Sequence, residues 1–249
     1  MAAKKALELD PDLVEAYTAL AHTQHNYDWD WKASEGNYRR AIRINPNYAI
    51  AHHWYGNLLS EWGRTREAIA QKEQALKLNP LSLVMNADYG YILYEAGRYD
   101  AAVAQLKKTL ELDPHFALTY QYLGFVYQQI GRHAEAIDAF RKAGKIAPES
   151  LEVRAQLAQA YALSGLHREA RAILTELLKL SGHQYVASFD IAMIYAGLGE
   201  NEKAFEWLEK ALEERSYQVT ALKVEPRLNL LRKEPKFQEM LRLLNIPAL

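Results

Sequence analysis

Residues 117–150 read ALTYQYLGFVYQQIGRHAEAIDAFRKAGKIAPES, and the spacing of their small, aromatic and proline residues recurs along most of the chain. The prolines that mark this recurrence follow one another at steps of 35, 34, 34 and 34 residues, at Pro11, Pro46, Pro80, Pro114 and Pro148. A fixed period of this length indicates a repeat architecture, in which each unit contacts mainly its neighbours.

Each unit is predicted to form two antiparallel helices. A small residue at position 20 faces another at position 8, and small residues at a crossing let two helix axes approach closely. Glycine at position 15 is expected to end the first helix in a left-handed conformation, and the proline separates the second helix from the next unit. Position 8 is small in all six units: Ala21, Gly56, Gly90, Gly124, Ala158 and Ala192.

This pattern resembles the tetratricopeptide repeat, a 34-residue helix pair. The residues of unit four that carry the resemblance are Tyr120, Leu123, Gly124, Tyr127, Gly131, Ala136, Phe140, Ala143 and Pro148. The resemblance implies an all-α fold, namely a right-handed α-solenoid of about six helix pairs with a preceding half repeat and a C-terminal capping helix. The tryptophan-containing turn at 26–31 and the tail from about 222 also resemble the C-terminal repeat regions of bacterial multidomain signalling and transcription-regulator proteins.

We expect one solenoid over residues 1–249. Its predicted parts are a half repeat 1–13, repeats 14–48, 49–82, 83–116, 117–150, 151–184 and 185–218, and a cap 219–249. Phe237, Met240, Leu241 and Leu244 share one face at helical spacing, which predicts a helix over 235–245 that covers the last repeat. The start within a repeat favours a fragment of a longer protein over a degenerate N-terminal cap.

The composition limits the classes of partner. Thirty basic and 31 acidic residues give a net charge of −1, without the basic excess typical of general nucleic-acid binding. There is no apolar run of about 20 residues, so no membrane span is predicted. The absence of cysteine excludes disulfides and thiolate metal sites. We expect a cytoplasmic protein, or an extracytoplasmic one if it belongs to a longer membrane-anchored chain.

The resemblance places the first helix of each unit on the concave side, with positions 2, 5, 9 and 12 facing inward. These positions combine amides, imidazoles and aromatic rings and are nearly free of charge, which suits a bound peptide. The alternative is that the chain's own superhelix or a further domain covers part of this groove. The predicted groove residues are His22, His25, His53, Asn57, Tyr91, Tyr94, Gln121, Phe125, Gln128, Gln159 and Phe189.

The leading hypothesis is therefore a non-catalytic scaffold that binds a protein or peptide, without a cofactor. No zinc-protease motif, phosphate-binding loop or nucleophile elbow occurs in the sequence. His22, His25 and His53 could together bind a transition metal, and polar groove histidines are the alternative interpretation. A second function hypothesis is a regulatory or sensory module of a larger bacterial signalling protein. Self-association through the exposed N-terminal face is a further possibility.

Overall fold

The computed structural model describes residues 2–247, and all the secondary structure in that range is helical. The α-helices among these residues are α1 Ala2–Leu9, α2 Val14–Thr23, α3 Trp31–Ile44, α4 Ala49–Trp62, α5 Thr65–Leu78, α6 Leu83–Glu95, α7 Tyr99–Leu112, α8 Ala117–Gln129, α9 His133–Ile146, α10 Leu151–Leu163, α11 His167–Leu180, α12 Ser188–Gly197, α13 Asn201–Glu213 and α14 Pro235–Leu243. The predicted all-α solenoid is confirmed.

Small residues set the distance between the two helices of a pair. Gly124 of α8 lies against Phe140 of α9 so closely that a Cβ atom on the glycine would come within 2.5 Å of the ring. Gly90 has the same relation to Leu106, at 2.7 Å. Larger side chains at these positions would force the helices apart, so the small residue at position 8 is a packing requirement.

The turns inside the repeats follow the predicted glycine pattern. Position 15 adopts the left-handed conformation in five units, with φ between 70° and 93°, at Gly63, Gly97, Gly131, Gly165 and Gly199. L-residues with a side chain rarely adopt this conformation, so glycine is the residue that lets the first helix end here. The predicted left-handed helix ends are confirmed.

The first unit contains an irregular turn. Helix α2 continues into a wider π-helical turn, Gln24–Asp28, after which Trp29 has a φ of 56°. Asp30 then caps α3, since its side chain accepts a hydrogen bond from the backbone nitrogen of Ala33 at 3.1 Å. The indole of Trp31 follows at once and is buried. The extra residue of this unit is accommodated here.

The chain after α13 does not continue the solenoid. It forms two short 3-10 helices, Tyr217–Ala221 and Pro226–Leu228, before α14. Phe237 and Met240 of α14 are buried in one apolar cluster with residues of α13. We call residues 217–247 the C-terminal segment.

The C-terminal segment extends far beyond the last repeat. The indole nitrogen of Trp31 donates to the carbonyl oxygen of Leu244 at 2.7 Å, and that of Trp62 donates to the carbonyl of Pro247 at 3.1 Å. The end of the chain thus contacts the first two repeats as well as the last one. The segment crosses the open side of the solenoid and closes it.

Candidate functional site

The C-terminal segment is bound to the concave face through one buried carboxylate. Glu225 accepts hydrogen bonds from the hydroxyl of Tyr91 at 2.8 Å and from that of Tyr94 at 2.9 Å. Arg227 donates two more hydrogen bonds to this carboxylate, from its backbone nitrogen at 3.0 Å and from its guanidinium at 2.8 Å. Only 1% of Glu225 is exposed, so these bonds replace its hydration completely.

Charge and aromatic packing explain how this carboxylate is tolerated. Burial alone would raise the pKa of Glu225, but Arg227 and the hydroxyl donors outweigh burial and hold the pKa below its usual value. The Arg227 guanidinium lies 4.0 Å from the centroid of the Phe125 ring, which is within cation–π distance. Tyrosine, phenylalanine and an ion pair therefore hold an irregular stretch of polypeptide in the groove.

Further contacts connect the C-terminal segment, and Arg215 just before it, to the turns of the first repeats. The Lys223 ammonium donates to the carbonyl of Trp62 at 2.9 Å. The Arg215 guanidinium lies 4.5 Å from the centroid of the Trp29 ring and donates to the carbonyl of Tyr27. The tryptophan-containing turn of unit one is thus where the two ends of the solenoid meet.

Two adjacent cavities lie between the repeats and the C-terminal segment. Because they share lining residues, we treat them as two lobes of one space, which we call the chamber. The first lobe has a volume of about 190 Å³ and extends toward α12, and the second has a volume of about 220 Å³ and extends toward α2. Both lobes share part of their lining, which consists of Glu61, Tyr91, Tyr122 and Tyr217. Tyr217 comes from the C-terminal segment, so the chamber is complete only when that segment is in place.

Carboxyl groups dominate the polar lining of the chamber. Burial raises the pKa of Asp190 in the first lobe to about 8, and neighbouring Glu152 adds to the effect. Burial likewise raises the pKa of Glu152. In the second lobe burial raises the pKa of Glu95 well above its usual range. These shifts share one cause, because desolvation outweighs the attraction of the nearby cation, which is Arg227 for Asp190 and Glu152 and Lys72 for Glu95.

The predicted groove residues lie in three environments. Tyr91, Gln121, Phe125 and Phe189 line the first lobe, and His22, His25 and Asn57 line the second. The remaining four are buried and line neither lobe: His53, Tyr94, Gln128 and Gln159. Gln128 and Gln159 retain amide atoms without a hydrogen-bond partner. Whether any of these residues binds a peptide remains a prediction.

The histidines considered as metal ligands have separate partners. His25 lies 2.8 Å from Glu61, measured from Nε2 to Oε2. The Nε2 atom of His53 is 3.1 Å from Asp88, and its Nδ1 atom is 3.2 Å from the buried Lys72 ammonium. Burial and the Lys72 charge lower the pKa of His53. Within residues 2–247, no group of three or more His, Cys, Asp or Glu residues is arranged to hold a metal ion.

Most acidic residues of the chamber were not predicted from the sequence. Positions 2, 5, 9 and 12 were expected on the concave side, but position 6 also faces inward in five units. These residues are Trp54, Asp88, Tyr122, Gln156 and Asp190. Position 13 adds Glu61 and Glu95. The expected nearly uncharged groove is therefore wrong, and a stripe of positions 2, 6, 9 and 13 describes the lining better.

A stack of helix pairs around a concave face is characteristic of helical-repeat interaction proteins. Four family models match the chain over more than half of its length: tetratricopeptide repeat models at residues 37–70, 127–180 and 186–217, and a TPR repeat model at 90–131. The chain belongs to the tetratricopeptide repeat family. This membership supports a role as a protein-interaction scaffold, a class that is typically non-catalytic.

Solved structures agree with this fold. The chain is similar to Pseudomonas aeruginosa PilF, with 19% identity, a TM-score of 0.58 and coverage of 92% of this chain and 96% of PilF. PilW, a type IV pilus biogenesis factor, is 19% identical with a TM-score of 0.61, and the match covers 85% of this chain and 98% of PilW. A chain of the APC/C hetero-tetramer Cut9–Hcn1 is 16% identical with a TM-score of 0.64, and the match covers 97% of this chain and 44% of that chain. A comparison with curated protein sequences gives no match. Within the described residues, no helix has the length and apolar character to cross a bilayer.

Proposed function

We propose that this chain is a non-catalytic scaffold whose concave groove binds a polypeptide segment of a partner, in competition with its own C-terminal segment. The observation that supports this most is the binding of Glu225 by the hydroxyls of Tyr91 and Tyr94, 134 and 131 residues away in the chain. Two of the predicted groove residues thus hold an irregular polypeptide segment in the groove.

The chemistry of the bound segment describes the partner. The groove receives a carboxylate through two tyrosine hydroxyls and a guanidinium against the ring of Phe125. A partner segment with an acidic residue followed two positions later by arginine would reproduce both interactions. The sequence around this pair in the chain is VEPRL at 224–228. We expect partner segments to share this acidic–Pro–Arg character.

The test uses the full-length chain and a fluorescent peptide with the sequence of residues 217–234. The Glu225→Gln variant, in which the chain's own segment is held less firmly, should bind the peptide more tightly than the wild type. A peptide with Gln at the position of Glu225 is the matched control and should bind weakly to both proteins. Equal binding of the two peptides, or equal affinity of the two proteins, would contradict competition for the groove.

The same peptide identifies partners. Proteins from a lysate that the Glu225→Gln variant retains, and that the unlabelled peptide releases, occupy the groove. The control peptide should not release them. A set of retained proteins that neither peptide displaces would place partner binding on another surface of the solenoid.

A second candidate function is a regulatory module of a larger signalling protein. It is favoured by the hydrogen bonds of Trp31 to Leu244 and of Trp62 to Pro247, because release of the C-terminal segment would break these contacts between the two ends of the solenoid. Hydrogen exchange tests it. If the segment is a switch, the amides of residues 217–247 should exchange through local opening at denaturant concentrations well below the unfolding midpoint. If these amides exchange only when the whole protein unfolds, the segment is not a switch.

A further inference from the structure

The first lobe of the chamber contains acidic and amide groups without partners. Asp190 is 6% exposed, and none of the described residues forms an ion pair or a side-chain hydrogen bond with its carboxyl. Gln156 lines the same lobe, is 3% exposed and has an amide oxygen without a partner. Glu152 accepts one hydrogen bond, from Gln156 at 3.1 Å. Buried acceptors without donors are costly, so this lobe is suited to a ligand that supplies N–H groups.

The second lobe is also acidic. One carboxylate oxygen of Glu95 accepts a hydrogen bond from the hydroxyl of Ser60 at 2.5 Å, and no described cation pairs with Glu95. Glu61 has His25 as its neighbour. The other chamber acids are balanced, since Asp88 has Lys72 and His53 while Glu225 has Arg227. Unbalanced carboxyls therefore remain in both lobes.

The positions of these carboxyls indicate a cation with separated charges. They do not converge on one point, because the described residues contain no group that could hold a metal ion. Aromatic rings lie in the wall common to both lobes, at Tyr91, Tyr122 and Tyr217. Ring faces accept methylene groups and attract ammonium ions. A cavity of 150 Å³ accommodates benzene, so lobes of about 190 and 220 Å³ accept a short aliphatic chain.

We propose that the chamber binds an aliphatic diamine or polyamine. One ammonium group lies between Asp190 and Glu152 in the first lobe and donates to the free oxygen of Gln156. A second ammonium group lies at Glu61 and Glu95, and the methylene chain passes the shared tyrosine rings. Because Tyr217 and Arg227 of the C-terminal segment line the first lobe, the ligand is enclosed when that segment is bound.

Binding of the diamine should release a proton from the Asp190 carboxyl. The pKa of Asp190, about 8 without ligand, falls when an ammonium group stabilises the ionised form. Diamine affinity should therefore increase from pH 6 to about pH 8 and change little above that. The charged and titratable groups around Asp190 that enter this balance are Glu152, Tyr217, Glu225 and Arg227.

The experiment is a calorimetric titration of the full-length wild-type chain with butane-1,4-diamine. Butylamine, which carries one charge, should bind at least about tenfold more weakly, because it leaves one lobe without a cation. The Asp190→Asn variant should lose about thirtyfold or more in diamine affinity. Glu111→Gln removes an exposed carboxyl on α7 and should bind as the wild type does.

Several outcomes would overturn the proposal. These are the absence of diamine binding at millimolar concentration, equal affinity for the diamine and butylamine, and an unchanged affinity in Asp190→Asn. A similar loss in Glu111→Gln would show general attraction to acidic groups. Folding is checked through thermal unfolding, since Asp190→Asn keeps the shape of the side chain and removes an unpaired buried acid. The diamine should raise the melting temperature of the wild type but not that of the variant.

Discussion

Replacement of Glu225 by glutamine should release the C-terminal segment from the groove. The change removes the negative charge from a residue that is 1% exposed and accepts bonds from Tyr91, Tyr94 and Arg227. It leaves Arg227, which is also buried, without its counter-ion. Breaking a buried ion pair on one side costs about 3–5 kcal/mol. The population of the open form should therefore rise by a factor of roughly a hundred to several thousand.

Hydrogen exchange followed by mass spectrometry measures this release of the C-terminal segment. Amides of residues 217–247 should exchange faster in Glu225→Gln by that factor, while those of α6 to α9 should change little. Glu239→Gln is the matched control, since Glu239 is an exposed acid on α14. Unchanged protection of the segment would refute the reasoning, because it would mean that apolar packing of α14 alone holds the segment in place.

Two further predictions concern packing and pH. Gly124→Ala should lower the free energy of unfolding by about 1–2 kcal/mol, because its Cβ would lie 2.5 Å from the buried Phe140 ring and overpacking outweighs the gain in helix propensity. In Gly144→Ala the nearest atom to the added Cβ lies 3.7 Å away, so this change should instead raise the free energy of unfolding by about 0.5–1 kcal/mol. Urea denaturation of both variants measures the direction of each change. The folded-state pKa of Asp190 lies above its unfolded value, so its contribution to stability is lost as pH rises through about 8. From pH 5 to 8 the free energy of unfolding of the wild type should thus fall more steeply than that of Asp190→Asn. The difference in slope is at most about 1.4 kcal/mol per pH unit and is measured by urea denaturation at each pH.

The repeat was predictable because its signals are local. Proline at a 34-residue step, glycine at position 15 and small residues at position 8 each act on their own turn or on the adjacent helix. Gly131 adopts the predicted left-handed conformation, and Gly124 makes the predicted close approach to the second helix of its pair. Such contacts span few residues, so periodicity alone reveals them.

The closure of the solenoid was not predictable in the same way. Trp31 and Leu244 are bonded across 213 residues, and Glu225 meets Tyr91 across 134. Neither contact recurs from one repeat to the next, so the periodicity of the sequence does not predict it. Most of the chamber acids were not predicted for a smaller reason. The stripe of positions 2, 5, 9 and 12 includes Glu152 but excludes position 6, where Asp88 and Asp190 stand, and position 13, where Glu61 and Glu95 stand. The aromatic character of the groove was visible in the sequence, and its charge was not.

If both proposals hold, the amine and the partner segment oppose each other. Tyr217, Glu225 and Arg227 line the chamber and belong to the C-terminal segment, so the diamine binds only the form in which that segment occupies the groove. The diamine then stabilises this closed form by the factor 1 + [L]/Kd. Linkage requires that it weakens, to the same extent, the binding of a competing peptide that does not supply Tyr217, such as one with the sequence of residues 222–234.

At a diamine concentration one hundred times its Kd, the apparent affinity of the wild type for a labelled peptide of residues 222–234 should fall by about a hundredfold, as measured by fluorescence anisotropy. The peptide 217–234 brings its own Tyr217, Glu225 and Arg227 and rebuilds the chamber, so its affinity should fall much less. Asp190→Asn, which binds the diamine weakly, should show a much smaller fall at the same concentration. A peptide affinity that does not respond to saturating diamine would mean that the chamber persists when the segment is displaced. The scaffold and the amine site would then be independent properties of one solenoid, and the chamber could not act as a switch.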